Sequence, residues 1–268
     1  MSSVSESAEF FMGWDVGGWN CDKNPQSRDA IVILDASLAI MGKPWRGNLR
    51  ATLNAATSSQ DWMRALFALC GADRPTEATR VTLAIDTPLG FSQAFAALIT
   101  GQMCREQVQS SATNPYLFRQ TERSLFERGL QPLSAIKDMI GSQATKGMHA
   151  LAKFAPEVTR CGVWTDGHAL TVIEAYPSPC RHSTVMDELL LPYADWRQDK
   201  HQDKVDALVC ALTAYCFVAR PHMLLHPAGG VPVSEGWIWL PQDALPGTRC
   251  ESEKAGNTAI AIEIRESK

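Results

Sequence analysis

Phe11-Met12-Gly13-Trp14-Asp15-Val16-Gly17-Gly18 is an apolar run that ends on an aspartate and two glycines. A short apolar run closed by turn residues reads as a buried strand, here Phe10 to Val16. The polar stretch Trp19 to Arg28 follows as a loop. Ala30 to Leu34 is β-branched and reads as a second strand, and Leu38 to Met41 as a third, ending near Gly42-Lys43-Pro44. Strands this close in sequence suggest an antiparallel meander. Ser58 or Ser59 can then cap a helix whose apolar stripe is Trp62, Leu66, Phe67 and Leu69 and which Gly71 stops. Val81 to Ile85 is again a buried strand, running into Asp86-Thr87-Pro88. The order β-β-β-α-β predicts an α/β fold in which the strand after the helix lies parallel to the first.

Downstream the pattern turns helical. Helices are expected over Ser92 to Ile99, over Thr121 to Arg128 (capped by Thr121, stopped by Gly129), and once or twice within Leu133 to Phe154, broken near Gly141. Strands Arg160 to Trp164 and Ala169 to Tyr176 join through Asp166-Gly167, a hairpin signal that assigns Asp166 to the turn. A short helix is expected at Met186 to Leu190 and a largely buried one at Asp203 to Val218. The tail offers strand candidates at Gly236-Trp237-Ile238-Trp239-Leu240-Pro241 and at Ile260 to Ile264. These elements read as one domain over 1–268, with a helical insertion at about 92–156 and a C-terminal extension at about 221–268.

The 268 residues are 45% apolar and 20% charged, with a formal charge of −4. That composition suits a soluble globular protein and gives no global basic field of the kind that marks duplex-binding proteins. Eight cysteines are scattered without metal-knuckle spacing, so a reducing compartment is the simpler expectation. The polar, acidic start (Met1 to Glu9) is unlike a targeting peptide, and no apolar run approaches the ~18 residues of a membrane span. A cytoplasmic protein with no membrane association is expected.

The chemistry-bearing residues are acids at element ends. Asp15 and Asp86 each close an apolar strand. Asp203 and Asp206 open the last long helix and, at i and i+3, share one of its faces. Each has an ordinary alternative: turn residues for Asp15 and Asp86, a helix cap for Asp203. Together, carboxylates at strand ends and on one helix face can converge at one sheet edge, where mutual repulsion calls for a divalent cation. Glu174 lies on the strand face opposite Ile173 and Ala175, either as a fifth acid or facing solvent. Gly17 and Gly18 lack a Cβ and would let a phosphate approach. Arg119 and Arg123, at i and i+4, can grip phosphates, and Lys204 sits between the helix acids. Lys43, Arg46 and Arg50 with Trp45 make a weaker basic patch. His201, five positions before Asp206, is placed for proton transfer or is a surface histidine.

The set Gly-Trp-Asp-Val-Gly-Gly-Trp, Ala-Ile-Asp-Thr-Pro-Leu-Gly, Phe-Arg-Gln-Thr-Glu-Arg, Ile-Glu-Ala-Tyr-Pro, Asp-Lys-Val-Asp-Ala-Leu and Glu-Gly-Trp-Ile-Trp-Leu-Pro resembles a prokaryotic family described as predicted nucleases of ribonuclease H fold. The motifs run from residue 13 to about 241. The resemblance implies a mixed five-stranded sheet, an antiparallel meander of strands 1–3 followed by parallel strands, flanked by helices. It also implies metal-dependent phosphodiester hydrolysis, with Asp15, Asp86, Asp203 and Asp206 holding Mg²⁺ or Mn²⁺ and a nucleic acid as substrate. The acids at i and i+3 look like those of the Holliday-junction resolvase branch. Two other readings stand beside it. A phosphotransferase of the actin-like superfamily would use Asp15-Val16-Gly17-Gly18 as a phosphate loop and would need a second such loop, for which Thr165-Asp166-Gly167-His168 is the comparable place. A non-catalytic scaffold would bind a protein partner or nucleic acid through exposed Trp237 and Trp239, unless their alternating strand simply covers a core.

Overall fold

The computed structural model describes residues 8–73, 79–102, 107–108, 111–198 and 200–247. Eight strands form one mixed sheet: β1 (Glu9–Asp15), β2 (Asp29–Asp35), β3 (Trp45–Gly47), β4 (Arg80–Asp86), β5 (Glu157–Arg160), β6 (Val163–Thr165), β7 (Leu170–Ala175) and β8 (Ile238–Trp239). Their order is β3-β2-β1-β4-β7-β6-β5, with β8 added to the end of β7. Strands β1, β4 and β7 are mutually parallel, and β2 and β3 extend the sheet antiparallel on one side. β6 and β5 do so on the other side.

The helices are α1 (Arg50–Ala55), α2 (Ser59–Leu69), α3 (Gln93–Ile99), α4 (Gln120–Glu127), α5 (Gly141–Phe154), α6 (Pro177–Cys180), α7 (Thr184–Leu190), α8 (Ala194–Gln198) and α9 (Gln202–Ala219). Side chains alternate across a strand, so each strand feeds two cores. Phe10, Met12 and Trp14 of β1, with Val81, Leu83 and Ile85 of β4, pack against α2 and α5, where Trp62 stacks on Phe154 at 4.7 Å. Phe11 of β1, Ala84 of β4 and Ile173 of β7 pack against α9. By the same alternation Asp15 and Asp86 belong to the α9 side, and Glu174 to the opposite side.

One glycine sets how closely α9 lies on the sheet. A Cβ at Gly13 would sit 1.8 Å from the Ala207 carbonyl oxygen and 2.5 Å from the Ala211 nitrogen. Both are helix backbone, which cannot turn aside as a side chain would. The apolar surface of α9, with Ala207, Leu208, Ala211 and Leu212 all fully buried, supplies the burial that holds this contact.

Most of the expected elements form. Ser58 caps α2 by accepting from the Asp61 amide at 3.1 Å, and Gly71 follows it with φ +64°. The Asp166-Gly167 turn joins β6 to β7, its aspartate accepting from the amides of His168, Ala169 and Leu170. Several expectations need correction. The sheet has eight strands, not five, because the insertion ends in a hairpin and the tail adds β8. The third strand is Trp45–Gly47, paired with the start of β2, while Ile40 makes only an isolated bridge to Leu34. Arg160 to Trp164 is not one strand: Gly162, with φ +71°, turns the chain between β5 and β6. Thr121 does not cap α4: Glu122 accepts from the Arg119 amide, and the Thr121 hydroxyl accepts from Ile238. Trp237 and Trp239 are each 1% exposed, so the tail is a core strand and not a docking surface. The candidate strand Ile260 to Ile264 lies outside the described residues. Among the described residues no helix is long and apolar enough to cross a membrane.

Gly13→Ala should destabilise the protein by about 3 kcal/mol, since the added methyl meets backbone on a buried face. Urea denaturation measures this, and an unchanged midpoint would show that α9 does not approach β1 this closely.

Candidate active site

β1 and β4 end level with each other. Asp15 pairs with Asp86 in the parallel register, so two carboxylates stand side by side at the carboxyl edge of the sheet. Helix α9 brings Asp206 to the same edge, one residue before the Ala207 that touches Gly13. Among the described residues neither Asp15 nor Asp86 has a hydrogen bond or ion pair, whereas Asp206 accepts one bond from Gln202 at 2.9 Å. All three are partly buried.

The electrostatics follow from that crowding. Burial, then Asp86, then Asp206, hold the Asp15 carboxyl well above the usual carboxylate range. Burial, with Asp206 and Glu174 adding to it, pushes Asp86 up to about 8. Burial also raises Asp206, against the pull of its bond from Gln202. Burial and crowding thus shift all three carboxyls in the same direction, and Asp15 and Asp86 titrate as an interacting pair.

Asp203 is near enough for its charge to raise both Asp15 and Asp206, but its carboxylate has protein partners of its own. Asp203 does not cap α9, since that role falls to His201, whose Nδ1 accepts from the Asp203 amide at 3.3 Å. Its carboxylate is tied to Arg46 Nε at 2.7 Å and to the Arg28 amide at 2.9 Å. His201 is also held by Arg46, through Nε2 at 3.1 Å. Of the proposed basic patch, Arg46 is thus committed to Asp203, and Arg50 bonds the Trp19 carbonyl and Asn20. Lys204 has Lys200, Arg46 and Cys70 as its charged surroundings, not the three acids, and burial lowers its pKa.

Gly17 and Gly18 do not open onto a phosphate. A Cβ at Gly17 would meet the Asp29 nitrogen and Cys21 Cβ at 2.7 Å, and one at Gly18 would meet Ser142 Oγ at 2.9 Å. The loop is held from within by a fully buried ion pair between Asp29 and Lys146. Asp29 also accepts from Trp14 Nε1 (3.1 Å), Gly17 N (2.9 Å) and Leu49 N (2.6 Å), and Lys146 donates to the carbonyl oxygens of Gly17 and Gly18. This pair fixes the backbone just after Asp15.

Arg119 is not a phosphate clamp. It is 2% exposed and grips Glu174 with two parallel bonds, Nη1 at 2.7 Å and Nη2 at 2.6 Å, while its Nε donates to Glu122 at 2.9 Å. Glu174 also accepts from the Leu89 amide, and Glu235 receives the first amides of α3 and α4, Gln93 and Gln120. Glu174 therefore does not face solvent; bonded to Arg119, it borders the cavity that Asp15 and Asp86 also line. It anchors the loop after Asp86 from the opposite side of the sheet. Arg123 donates to Gln120 at 2.8 Å and lies on this same network's border.

Two cavities flank Asp86. The first, about 280 Å³, is lined by Asp15, Asp86, Leu133, Gln143 and Tyr176, and by Thr87, whose buried hydroxyl has no partner. The second, about 610 Å³, lies between α6, α7, α8 and α9 and contains Asp86, Asp206, Gln202, Arg181 and Arg197. The arginines escaped the sequence reading because neither Arg181 nor the connector Ser183 to Lys200, which holds Arg197, belongs to a motif.

Three hard oxygen donors without strong partners are the donor set that Mg²⁺ or Mn²⁺ prefers. Among the described residues no three His, Cys, Asp or Glu side chains close into a ready-made cage. Mg²⁺ does not need one, since it keeps several waters and takes one or two carboxylates plus substrate phosphates. The residues fit such an ion at the Asp15–Asp86 pair.

Arg119→Met should cost about 4 kcal/mol, because it leaves Glu174 and Glu122 buried without their cation. A loss under about 1 kcal/mol in denaturant titration would contradict the network. Asp86→Asn should do the reverse in the presence of a chelator. Between the unfolded carboxyl's pKa near 4 and the folded value of about 8, the native state keeps a proton that the unfolded chain releases, so stability falls as pH rises through that window. Asparagine escapes this loss. The variant's Tm should exceed the parent's by a margin that grows from pH 4.5 to 8, reaching about 3 °C or more; a margin independent of pH would contradict the assignment.

No family model matches the chain, and no curated protein or solved structure matches it either.

Proposed function

We propose that the protein is a divalent-metal phosphodiester hydrolase with a ribonuclease H-like core. The observation that carries this reading is the register pairing of Asp15 with Asp86 at the carboxyl ends of adjacent parallel strands. The strand order β3-β2-β1-β4-β7, with β2 antiparallel and a long helix packed on β1 and β4, supports the core assignment.

Asp15 and Asp86 would hold Mg²⁺ or Mn²⁺, with Asp206 beside them. A bound ion supplies charge stabilisation at the phosphoryl oxygens and an acidified water. The chain's own contribution is to present Asp15 and Asp86 without an ion pair to any described residue, so that ion binding relieves their repulsion. Asp206 keeps one oxygen on Gln202 and the other free, and its raised pKa suits it to accept a proton from the attacking water. Thr87 offers a hydroxyl beside Asp86 that has no hydrogen-bond partner among the described residues. The buried Asp29–Lys146 and Arg119–Glu174 pairs keep the loops after β1 and β4 from moving as charge changes. The acidic net charge and the concave cavities favour short or single-stranded substrates over a long duplex.

The test is incubation with labelled single-stranded and duplex DNA, RNA and branched DNA in Mg²⁺ or Mn²⁺. Cleavage of at least one substrate is expected, lowered ~100-fold or more by Asp15→Asn and by Asp86→Asn. If nothing is cut, or if both variants cut as well as the parent, the reading is wrong.

A further inference from the structure

We infer that the cavity between α6, α7, α8 and α9 is a phosphate-binding subsite. It would take a second phosphate of the substrate, one nucleotide away from the bond held at Asp15 and Asp86. The juxtaposition that points to it is two guanidinium groups, Arg181 and Arg197, lining the same space of about 610 Å³ as Asp86 and Asp206. This rests on the phosphodiesterase reading for which bond is cut, but not for whether the cavity binds phosphate.

The two arginines, Arg197 partly buried and Arg181 exposed at the cavity's rim, differ from the buried Arg119 and the partly buried Arg46. Arg46 and Arg119 are consumed by carboxylates at 2.6–2.7 Å. The Arg197 side chain forms no hydrogen bond or ion pair with any described residue, and its Nε is buried without a partner among them. A buried, unpaired guanidinium nitrogen costs free energy, and an arriving oxyanion would repay it. Arg181 is preset: its Nε donates to the Ser178 carbonyl and its Nη2 to the Ser178 hydroxyl, both at 2.8 Å, which leaves Nη1 uncommitted. A fork held this way matches the oxygens of a phosphate.

The surroundings select what kind of phosphate. Asp187 also lines the cavity, so with Asp86 and Asp206 there are three carboxylates to two arginines. Free phosphate would be weakly held there without a cation on Asp15 and Asp86. A phosphate carried on a substrate whose neighbouring diester sits at that cation is held from both sides. Asp86 and Ser178 line both cavities, so a chain can pass from the apolar one beside Tyr176 to the arginines. The substrate class is therefore an oligonucleotide with at least two phosphates, short or with a single-stranded end.

Thymidine dinucleotides carrying a 5′-phosphate, a 3′-phosphate or neither decide this by calorimetric titration in Ca²⁺, with the titrant's integrity followed by chromatography. One phosphorylated form should bind about tenfold or more tightly than the bare diester, and Arg197→Ala should abolish that preference. Arg181→Ala, at the second guanidinium lining the cavity, should weaken it as well and decides the matter if the first variant fails to fold. Equal binding of the three dinucleotides, or a preference that survives both variants, overturns the inference. Phosphate preference without any cleavage would sink the hydrolase reading and leave the subsite standing; cleavage without preference would do the opposite.

Discussion

Helix α9 crosses β1 with its backbone almost touching the strand, at the one residue that has no side chain to hold it off. Everything at the candidate site depends on that crossing. It sets Asp206 over the edge where Asp15 and Asp86 end, and it lets the helix bury its apolar surface on the sheet. The same closeness removes water from the three carboxyls, which is the first cause of each raised pKa. Packing and electrostatics are one effect here: the contact that stabilises the fold makes its acids unstable as anions.

Two buried ion-pair networks bracket this edge. Asp29 with Lys146 holds the loop after Asp15 on the α5 side, and Arg119 with Glu174, Glu122 and Glu235 holds the loop after Asp86. Buried pairs are poor contributors to net stability, because desolvation consumes most of their attraction. Their use is positional. Each receives backbone amides as well as charges, so each fixes a segment of main chain next to an acid that itself has no partner. Strain and repulsion at the site are thus sustained by well-satisfied polar groups around it.

The strands and helices were legible wherever one face of an element is apolar: β1, β2, β4, β7, α2 and α9 follow from periodicity and caps alone. So did the hairpin at Asp166 and the three acids Asp15, Asp86 and Asp206. What stayed hidden depended on residues meeting across long sequence separations. Arg119 reads as a solvated arginine until Glu174, 55 positions later, closes on it. Gly17 and Gly18 read as a phosphate loop, since nothing local shows that Asp29 and Ser142 occupy the space. Trp237 and Trp239 read either as exposed or as covering a core, and only the fold, which leaves each 1% exposed, decides between the two. Lys146 had a signal: it lies four residues before buried Ala150 on the apolar stripe of α5, where a lysine needs a buried partner. The arginines Arg181 and Arg197 had none.

The central claim is that Asp15 and Asp86 jointly hold a divalent cation. Anomalous diffraction from crystals grown with Mn²⁺ tests it most directly. The account predicts a manganese peak within coordination distance of both carboxylates, with Asp206 bordering the same ion or a second one. A peak elsewhere, or none at the strand ends at saturating Mn²⁺, would contradict it.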